Sequence, residues 1–107
     1  MAWYVNGTNL TMTEGDFGVG EKVKISGATL GGSDSLKFTF KDAANGNTIL
    51  TKEFNGITNN EVTLEFTEAE SALFPVGVYV YVLDWYQSGI FMCNILPASL
   101  FKVVDKA

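Results

Sequence analysis

The sequence predicts an all-β fold, an antiparallel β-sandwich of about seven to nine short strands, and three features of the chain indicate it. Turn signals rich in glycine, asparagine and proline recur roughly every ten residues. Most segments between those signals alternate polar and apolar residues, which is the period of a half-buried strand. One capping signal predicts a single short helical turn near residues 68–73. No linker or internal repeat divides the sequence, so we expect one domain over residues 1–107.

The first half of the chain contains the clearest short strands. Residues 3–5 form either a short first strand or a loose arm. Further strands are predicted over residues 8–13, 21–28 and 36–41, with their polar residues facing solvent. The inward-facing residues of these three strands are Leu10, Met12, Val23, Ile25, Leu36, Phe38 and Phe40.

Asn45 and Gly46 predict a β-hairpin, because this dipeptide favours the tight turns that join antiparallel strands. The return strand covers residues 47–54. Its facing is ambiguous from the sequence, since Leu50 and Phe54 lie on one side of it and Ile49 lies on the other.

A strand and a helical turn follow in the second half. Residues 61–66 alternate, with Val62, Leu64 and Phe66 facing inward. Thr67 and Glu70 have the spacing of a capping box, in which each side chain accepts a hydrogen bond from the other residue's backbone amide. The helical turn is expected from residue 68 to about residue 73, where a proline and a glycine end it.

The stretch over residues 78–86 is the longest apolar strand pattern in the chain, and its nine residues span about 30 Å. Both of its alternating sets of side chains are apolar apart from one aspartate, whereas a half-buried strand has one polar set. Either both faces are covered within the domain, or another chain covers one of them. The two sets are Val78, Val80, Val82, Asp84 and Tyr86, and Tyr79, Tyr81, Leu83 and Trp85.

The returning strand, over residues 90–96, is also apolar on both faces. Residues 97–99 begin with a proline and break the pattern, and residues 100–104 form the last strand. Cys93 is the only cysteine and lies in the apolar run, so we interpret it as a buried structural thiol. Two neighbouring strands of this kind would leave a large apolar patch on an isolated sandwich, and such patches usually mark an interaction surface.

The composition argues against several classes of function. The net charge is −5 and the chain has no arginine, so we do not expect nucleic-acid binding. Histidine is absent, which excludes histidine-based catalytic triads and the usual zinc sites. No signal peptide is visible, and the apolar runs are too short for insertion into a membrane.

The carboxylates of the chain have simple structural explanations. Glu14 and Asp16 lie in a glycine-rich connection and are expected in solvent, while Glu68 and Glu70 suit the start of a helix. Residues 42–47 resemble a calcium loop only superficially, because the closing glutamate is missing. We therefore interpret the protein as a non-enzymatic chain with no cofactor and no metal.

The candidate functional residues are large apolar side chains of the long hairpin. Tyrosine and tryptophan on a strand face can form a subunit interface, can stack on sugar rings, or can belong to the core. The candidates for the interface are Tyr79, Tyr81, Trp85, Tyr86, Phe91 and Met92.

Residues 62–81, VTLEFTEAESALFPVGVYVY, followed by residues 100–104, resemble a recurrent pattern in phage tail and baseplate proteins. In that pattern a strand leads to a short helical turn and then to a strand with the motif proline-x-glycine-x-tyrosine-x-tyrosine. A hairpin and a final strand with Phe-x-Val complete it. The N-terminal domains of phage baseplate upper proteins are the family that the segment resembles. The resemblance covers the second half of the chain well and the first half loosely.

This resemblance implies a structural subunit of a phage or prophage virion, in the tail or baseplate, which is made in the host cytoplasm and ends in the virion. We expect an immunoglobulin-like β-sandwich that packs the hairpin face against copies of itself or against neighbouring virion proteins. The alternative is a carbohydrate- or cell-surface-binding module that uses the same aromatic residues as stacking platforms.

Overall fold

The computed structural model describes residues 3–6, 9–16, 21–25, 30–43, 46–57 and 59–105, without the side chains of residues 3–6, 21 and 96–98. Within these ranges the chain forms eight strands and one short helix. Their bounds are β1 Trp3–Asn6, β2 Asn9–Thr13, β3 Glu21–Lys24, β4 Asp34–Lys41, β5 Thr48–Asn55, β6 Glu61–Leu64, α1 Glu68–Ser71, β7 Gly77–Gln87 and β8 Ile90–Val104.

The strands form two sheets, so the prediction of an all-β, sandwich-like chain is confirmed. Six strands pair in the order β1-β2-β8-β7-β4-β5, and β3 pairs with β6 in a second, smaller sheet. One pair departs from the predicted antiparallel arrangement, because β2 runs parallel to β8. These two strands lie far apart in the chain, so no tight hairpin forces them into opposite directions.

The core lies between the two sheets and is rich in phenylalanine. The ring of Phe40 is near its centre and lies 5.2–5.7 Å, between centroids, from the rings of Phe66, Phe74 and Phe101. Edge-to-face pairs of this kind add to the free energy gained by burying the rings. The predicted inward residues that are buried are Leu10, Met12, Ile25, Leu36, Phe38, Phe40, Val62, Leu64 and Phe66, while Val23 is partly buried.

Strands β4 and β5 form the predicted hairpin, and residues 42–47 connect them. Asp42 closes this loop, because its backbone amide donates to the carbonyl oxygen of Asn47 at 3.1 Å and its Oδ1 accepts from the Asn47 amide at 2.9 Å. Asn45 lies outside the described residues. A shift in register between Phe40 and Lys41 leaves Ile49 and Leu50 both half-buried, which is why the facing of this strand is ambiguous in the sequence.

Helix α1 begins at the predicted capping box. Thr67 Oγ1 accepts from the Glu70 amide at 3.2 Å, and Glu70 Oε1 accepts from the Thr67 amide at 2.9 Å. The same carboxylate pairs at 2.8 Å with Lys52, which points inward from the edge strand β5. Burial alone would raise the pKa of Glu70, but its hydrogen bonds with Lys52 and Thr67 hold that pKa below its ordinary value. The ion pair therefore fixes α1 on the inner side of the larger sheet.

Strand β8 continues without a break from Ile90 to Val104, so the interruption predicted at residues 97–99 is wrong. Tyr81 on β7 lies opposite Ser99. The next inward residue, Leu83, lies opposite Leu96, so residues 97 and 98 together face a single residue of β7. This arrangement is a β-bulge, and a bulge tolerates proline because the extra residue need not donate to the ladder.

We predict that Ser71→Ala stabilises the protein by about 1 kcal/mol. The Ser71 hydroxyl is buried and has no hydrogen-bond partner among the described residues, so replacing it removes a desolvation cost and improves helix propensity. Urea unfolding followed by circular dichroism measures the change. Thr67→Ala, in the same turn, is the control, because loss of the cap destabilises by about 1 kcal/mol. A Ser71→Ala variant less stable than the parent would contradict the assignment.

Candidate functional site

Strand β7 has one face toward the core and one face toward solvent. The sequence leaves open whether both faces are covered within the domain, and the described residues cover only one of them fully. Tyr81 and Leu83 are buried, and Tyr79 and Trp85 of the same set pack against the core. The other set, which begins with the exposed Val78, points to the opposite side of the larger sheet. We call that side the outer face. It consists of the outward side chains of β4, β5, β7 and β8.

Tyr81 is a core residue, which corrects its assignment to an exposed interface. Only 3% of the residue is exposed to solvent, and its ring stacks on Phe40 at 5.7 Å and on Phe38 at 6.4 Å between centroids. Burial raises the pKa of Tyr81 to about 12. The assignment fails because side-chain type cannot distinguish a core tyrosine from an interface tyrosine when both faces of a strand are apolar.

Tyr79 also faces inward, at the start of β7, and it closes the turn that follows the helix. Its hydroxyl donates a hydrogen bond of 2.6 Å to the carbonyl oxygen of Pro75. Its ring lies 5.1 Å from that of Phe74 in an edge-to-face arrangement. Burial, and then the negative charge of Glu14, raise the pKa of Tyr79. These contacts give Tyr79 a structural role within its own chain.

Trp85 faces inward near the far end of β7, where it is held by a residue that the sequence analysis missed. Its Nε1 donates a hydrogen bond of 2.9 Å to Oδ1 of Asp34, a buried carboxylate at the start of β4. Oδ2 of Asp34 accepts from the Gly31 amide at 2.7 Å. The Asp34 backbone also bonds to Gly31 and Gly56. Asp34 therefore fixes the loops around this end of β7.

The connection between β7 and β8 is followed by three exposed apolar side chains. Ser88 and Gly89 form a two-residue turn with positive φ angles of 49° and 80°, the geometry that joins twisted antiparallel strands tightly. Beyond it, Ile90, Phe91 and Met92 are 67%, 54% and 44% exposed. We call residues 86–92 the hairpin tip.

Two of the predicted interface residues contact each other at the hairpin tip. The rings of Tyr86 and Phe91 lie 5.6 Å apart at an interplanar angle of 72°. The ammonium group of Lys37 lies 4.7 Å from the centre of the Tyr86 ring, a cation–π contact on the outer face. The structure thus places Tyr86, Phe91 and Met92 at one exposed end, and it turns the other three candidates inward.

The tip is exposed because the first part of β8 has a single neighbouring strand among those described. Strand β2 pairs with β8 only over residues 101–104, so residues 90–98 form an edge. Two further register shifts, between Leu83 and Asp84 and between Trp85 and Tyr86, disturb the pairing there. Cys93 lies on this edge and is exposed, so the prediction of a buried thiol is wrong.

The middle of the outer face is an apolar stripe. Val78, Val80 and Val82 follow one another along β7, and Leu100 of β8 lies directly opposite Val80. Val78 and Leu100 are exposed, and the other two valines are half-buried. From Val78 to Val82 the stripe is about 13 Å long at strand rise, and Asp84 separates it from Tyr86 at the hairpin tip. The exposed Leu100 is a site residue that the sequence analysis did not select, because it sits in an ordinary alternating strand.

Charged side chains border this stripe. The amine of Lys102 lies on the β8 side, since Lys102 is opposite Val78, and Lys41 lies on the β4 side, opposite Val80. Asp84 lies opposite Lys37 and accepts a hydrogen bond of 2.9 Å from Nδ2 of Asn94. The arrangement is apolar along its centre and polar at its rim, which is the anatomy of a protein–protein interface.

Among the residues described, no group of three or more cysteine and carboxylate side chains is placed to hold a metal ion. In the same ranges, no helix is long and apolar enough to cross a membrane. Comparison with known proteins found no matching family model, no matching curated protein and no matching solved structure.

We predict that stability falls steeply between pH 10 and about 12 because of Tyr81. The folded pKa of Tyr81 lies above the ordinary value of 10.0, so the fold favours the protonated form. The contribution of Tyr81 to the free energy of unfolding is complete below pH 10. It is lost as the pH rises to about 12, which lowers the free energy of unfolding by roughly 3 kcal/mol. Urea unfolding at a series of alkaline pH values measures it.

Tyr81→Phe provides the control for this pH dependence. The variant should lose the part of the decline that comes from Tyr81, whatever its stability at neutral pH, and should keep the part that comes from Tyr79, whose pKa is also raised. A decline of the same steepness in the variant would assign the effect to another group.

Proposed function

We propose that this protein is a non-enzymatic structural subunit of a phage or prophage virion, in the tail or baseplate, and that it attaches through its outer face. The single observation that carries the proposal is the exposed apolar surface of the outer face, made of the apolar stripe and, beyond Asp84, the Tyr86–Phe91 pair at the hairpin tip. Exposed apolar surface of this extent on one side of a sheet favours burial against another protein.

The assignment to a virion is supported by the order of the elements in the second half. Strand β6 is followed by the capped helix α1, then by Pro75 and Gly77 and the strand β7 with its two alternating tyrosines. The hairpin to β8 and the buried Phe101 and Val103 complete the pattern. This order agrees with the resemblance to the N-terminal domains of phage baseplate upper proteins.

We further propose that the fold is immunoglobulin-like. In that fold three strands, named C, F and G, form one sheet, and strands B and E belong to the other. The order β8-β7-β4-β5 agrees with the order G-F-C-C′, where C′ is a strand that variable-type domains add to this sheet. The pair β3–β6 agrees with the pair of strands B and E. A tyrosine near the start of strand F, bonded to the backbone just upstream, is a second mark of the fold, and Tyr79 makes such a bond to Pro75. The position two residues later, a cysteine in antibody domains, is here Tyr81.

Burial of the stripe would supply the free energy of attachment. Apolar surface contributes about 25 cal/mol per Å² buried, from which the cost of ordering two molecules is subtracted. A typical interface buries about 800 Å² on each partner, so the hairpin tip alone is too small and the whole stripe must take part.

The alternative, a carbohydrate-binding module, is less well supported by the geometry. Three of the six candidate residues face inward, and the remaining aromatic pair is Tyr86 and Phe91. Lys37 lies over the Tyr86 ring, which leaves less of that ring free for stacking on a sugar.

The direct test is to look for the chain in particles. Phage or prophage particles from the bacterial strain that encodes the chain should contain it, as shown by mass spectrometry after density-gradient purification. The proposal would be overturned if the chain were found only in the soluble fraction of the lysate and the purified particles lacked it.

We predict that Phe91→Ser lowers incorporation into particles at least tenfold while the isolated protein stays folded. The side chain is 54% exposed, so its loss removes attachment surface and costs the monomer less than about 1 kcal/mol. Immunoblots of purified particles measure incorporation, and thermal unfolding measures stability. Thr63→Ser, on the exposed side of β6 in the other sheet, is the matched control and should be incorporated normally. Equal incorporation of both variants would exclude the hairpin tip from the contact.

A further inference from the structure

The segment that joins β6 to β7, residues 65–76, has a distinct surface. Phe66 and Phe74 anchor it, because both are buried and their rings stack at 5.3 Å with an interplanar angle of 9°. Between and beyond these anchors, Leu73 and Val76 are 47% and 51% exposed. We call residues 65–76 the acidic ridge.

The acidic ridge contains three glutamates and no lysine. Glu65 and Glu68 are exposed, and neither has an ion-pair partner among the described residues. Glu70 differs, because it pairs with Lys52. The ridge therefore presents two apolar side chains beside uncompensated negative charge.

The outer face has the opposite charge character. Its three lysines, Lys37, Lys41 and Lys102, outnumber its two carboxylates, Glu53 and Asp84, in a protein whose net charge is −5. Lys41 and Lys102 border the stripe of Val78, Val80, Val82 and Leu100, while Lys37 lies opposite Asp84 and Glu53. The apolar centre with its lysine rim therefore matches the apolar and acidic surface of the ridge in both hydrophobicity and charge.

These two surfaces lie on opposite sides of the larger sheet. Lys52 points inward from β5 and holds Glu70 on the inner side, whereas Lys37 and Val80 point outward. A ridge therefore cannot cover the stripe of its own chain, and the match can be realised only between molecules.

We infer that this chain associates head to tail, with the acidic ridge of one copy packed on the apolar stripe of the next copy. This inference rests on the proposed function and names the partner at the outer face as a second copy. The contact is heterologous, since each copy uses two different surfaces, so it continues into a ring or a filament instead of stopping at a dimer. Two outer faces packed on each other would place like-charged lysine rims together and would leave both ridges exposed.

Two variants that each disable one surface test the inference. Leu100→Glu introduces a negative charge into the stripe, and Leu73→Lys introduces a positive charge into the ridge. Both side chains are partly exposed, 40% and 47%, so the fold tolerates the change. Thr63→Lys, at an exposed position outside both surfaces, is the control. The measurement is solution mass by light scattering coupled to size exclusion over a range of concentrations.

The parent and Thr63→Lys should form species larger than two chains as concentration rises, and added salt should weaken them. Each disabling variant alone should be monomeric, with association at least tenfold weaker. An equimolar mixture of the two should associate again, because the intact ridge of Leu100→Glu meets the intact stripe of Leu73→Lys. This restored association also shows that both variants are folded.

Three results would overturn the inference. They are a parent that stays monomeric at every concentration, a Leu73→Lys variant that associates as well as the parent, and a mixture that stays monomeric. The chain found in purified particles together with any of these results would leave the virion role in place with a different protein at the outer face. Its absence from particles would instead refute the proposed function, whatever the association in solution.

Discussion

The structure depends on the central position of β7, a strand that is apolar on both of its faces. Hydrogen bonds to β4 on one side and β8 on the other fix it in the middle of the larger sheet. Its inner face is satisfied within the chain, because Tyr81 and Leu83 pack into the phenylalanine core. Its outer face carries the exposed Val78 and the half-buried Val80 and Val82, and the functional proposals follow from that asymmetry.

Several local interactions hold the strand in this position. At one end, Tyr79 bonds to the turn after the helix, and the ion pair of Lys52 with Glu70 ties that helix to the sheet. At the other end, Asp34 joins Trp85 to the loop before β4. A sheet that is tied down at both ends presents its outer side chains on a rigid platform, which lowers the entropic cost of binding a partner.

Much of the fold could be predicted from the sequence, because local alternation and turn chemistry decide it. The inward residues of β2, β4 and β6, the hairpin of β4 and β5 and the capping box at Thr67 all depend on near neighbours in the chain. The parallel pairing of β2 with β8 and the continuous course of β8 could not be predicted, since both depend on contacts between distant segments. For the same reason alternation alone could not show that Tyr81 is buried or that Cys93 is exposed.

The register shifts between β7 and β8 have a consequence for how the exposed edge of β8 meets other chains. An open strand edge presents free backbone amides and carbonyls, and a flat, regular edge invites another strand to add to it and so leads to aggregation. Three shifts fall within the pairing of residues 81–87 with β8, and each bends and twists the strand locally. The edge is thereby made a poor template for strand addition. Selectivity is left to side chains, whose size and charge can discriminate between partners, and not to a backbone that would accept any extended peptide.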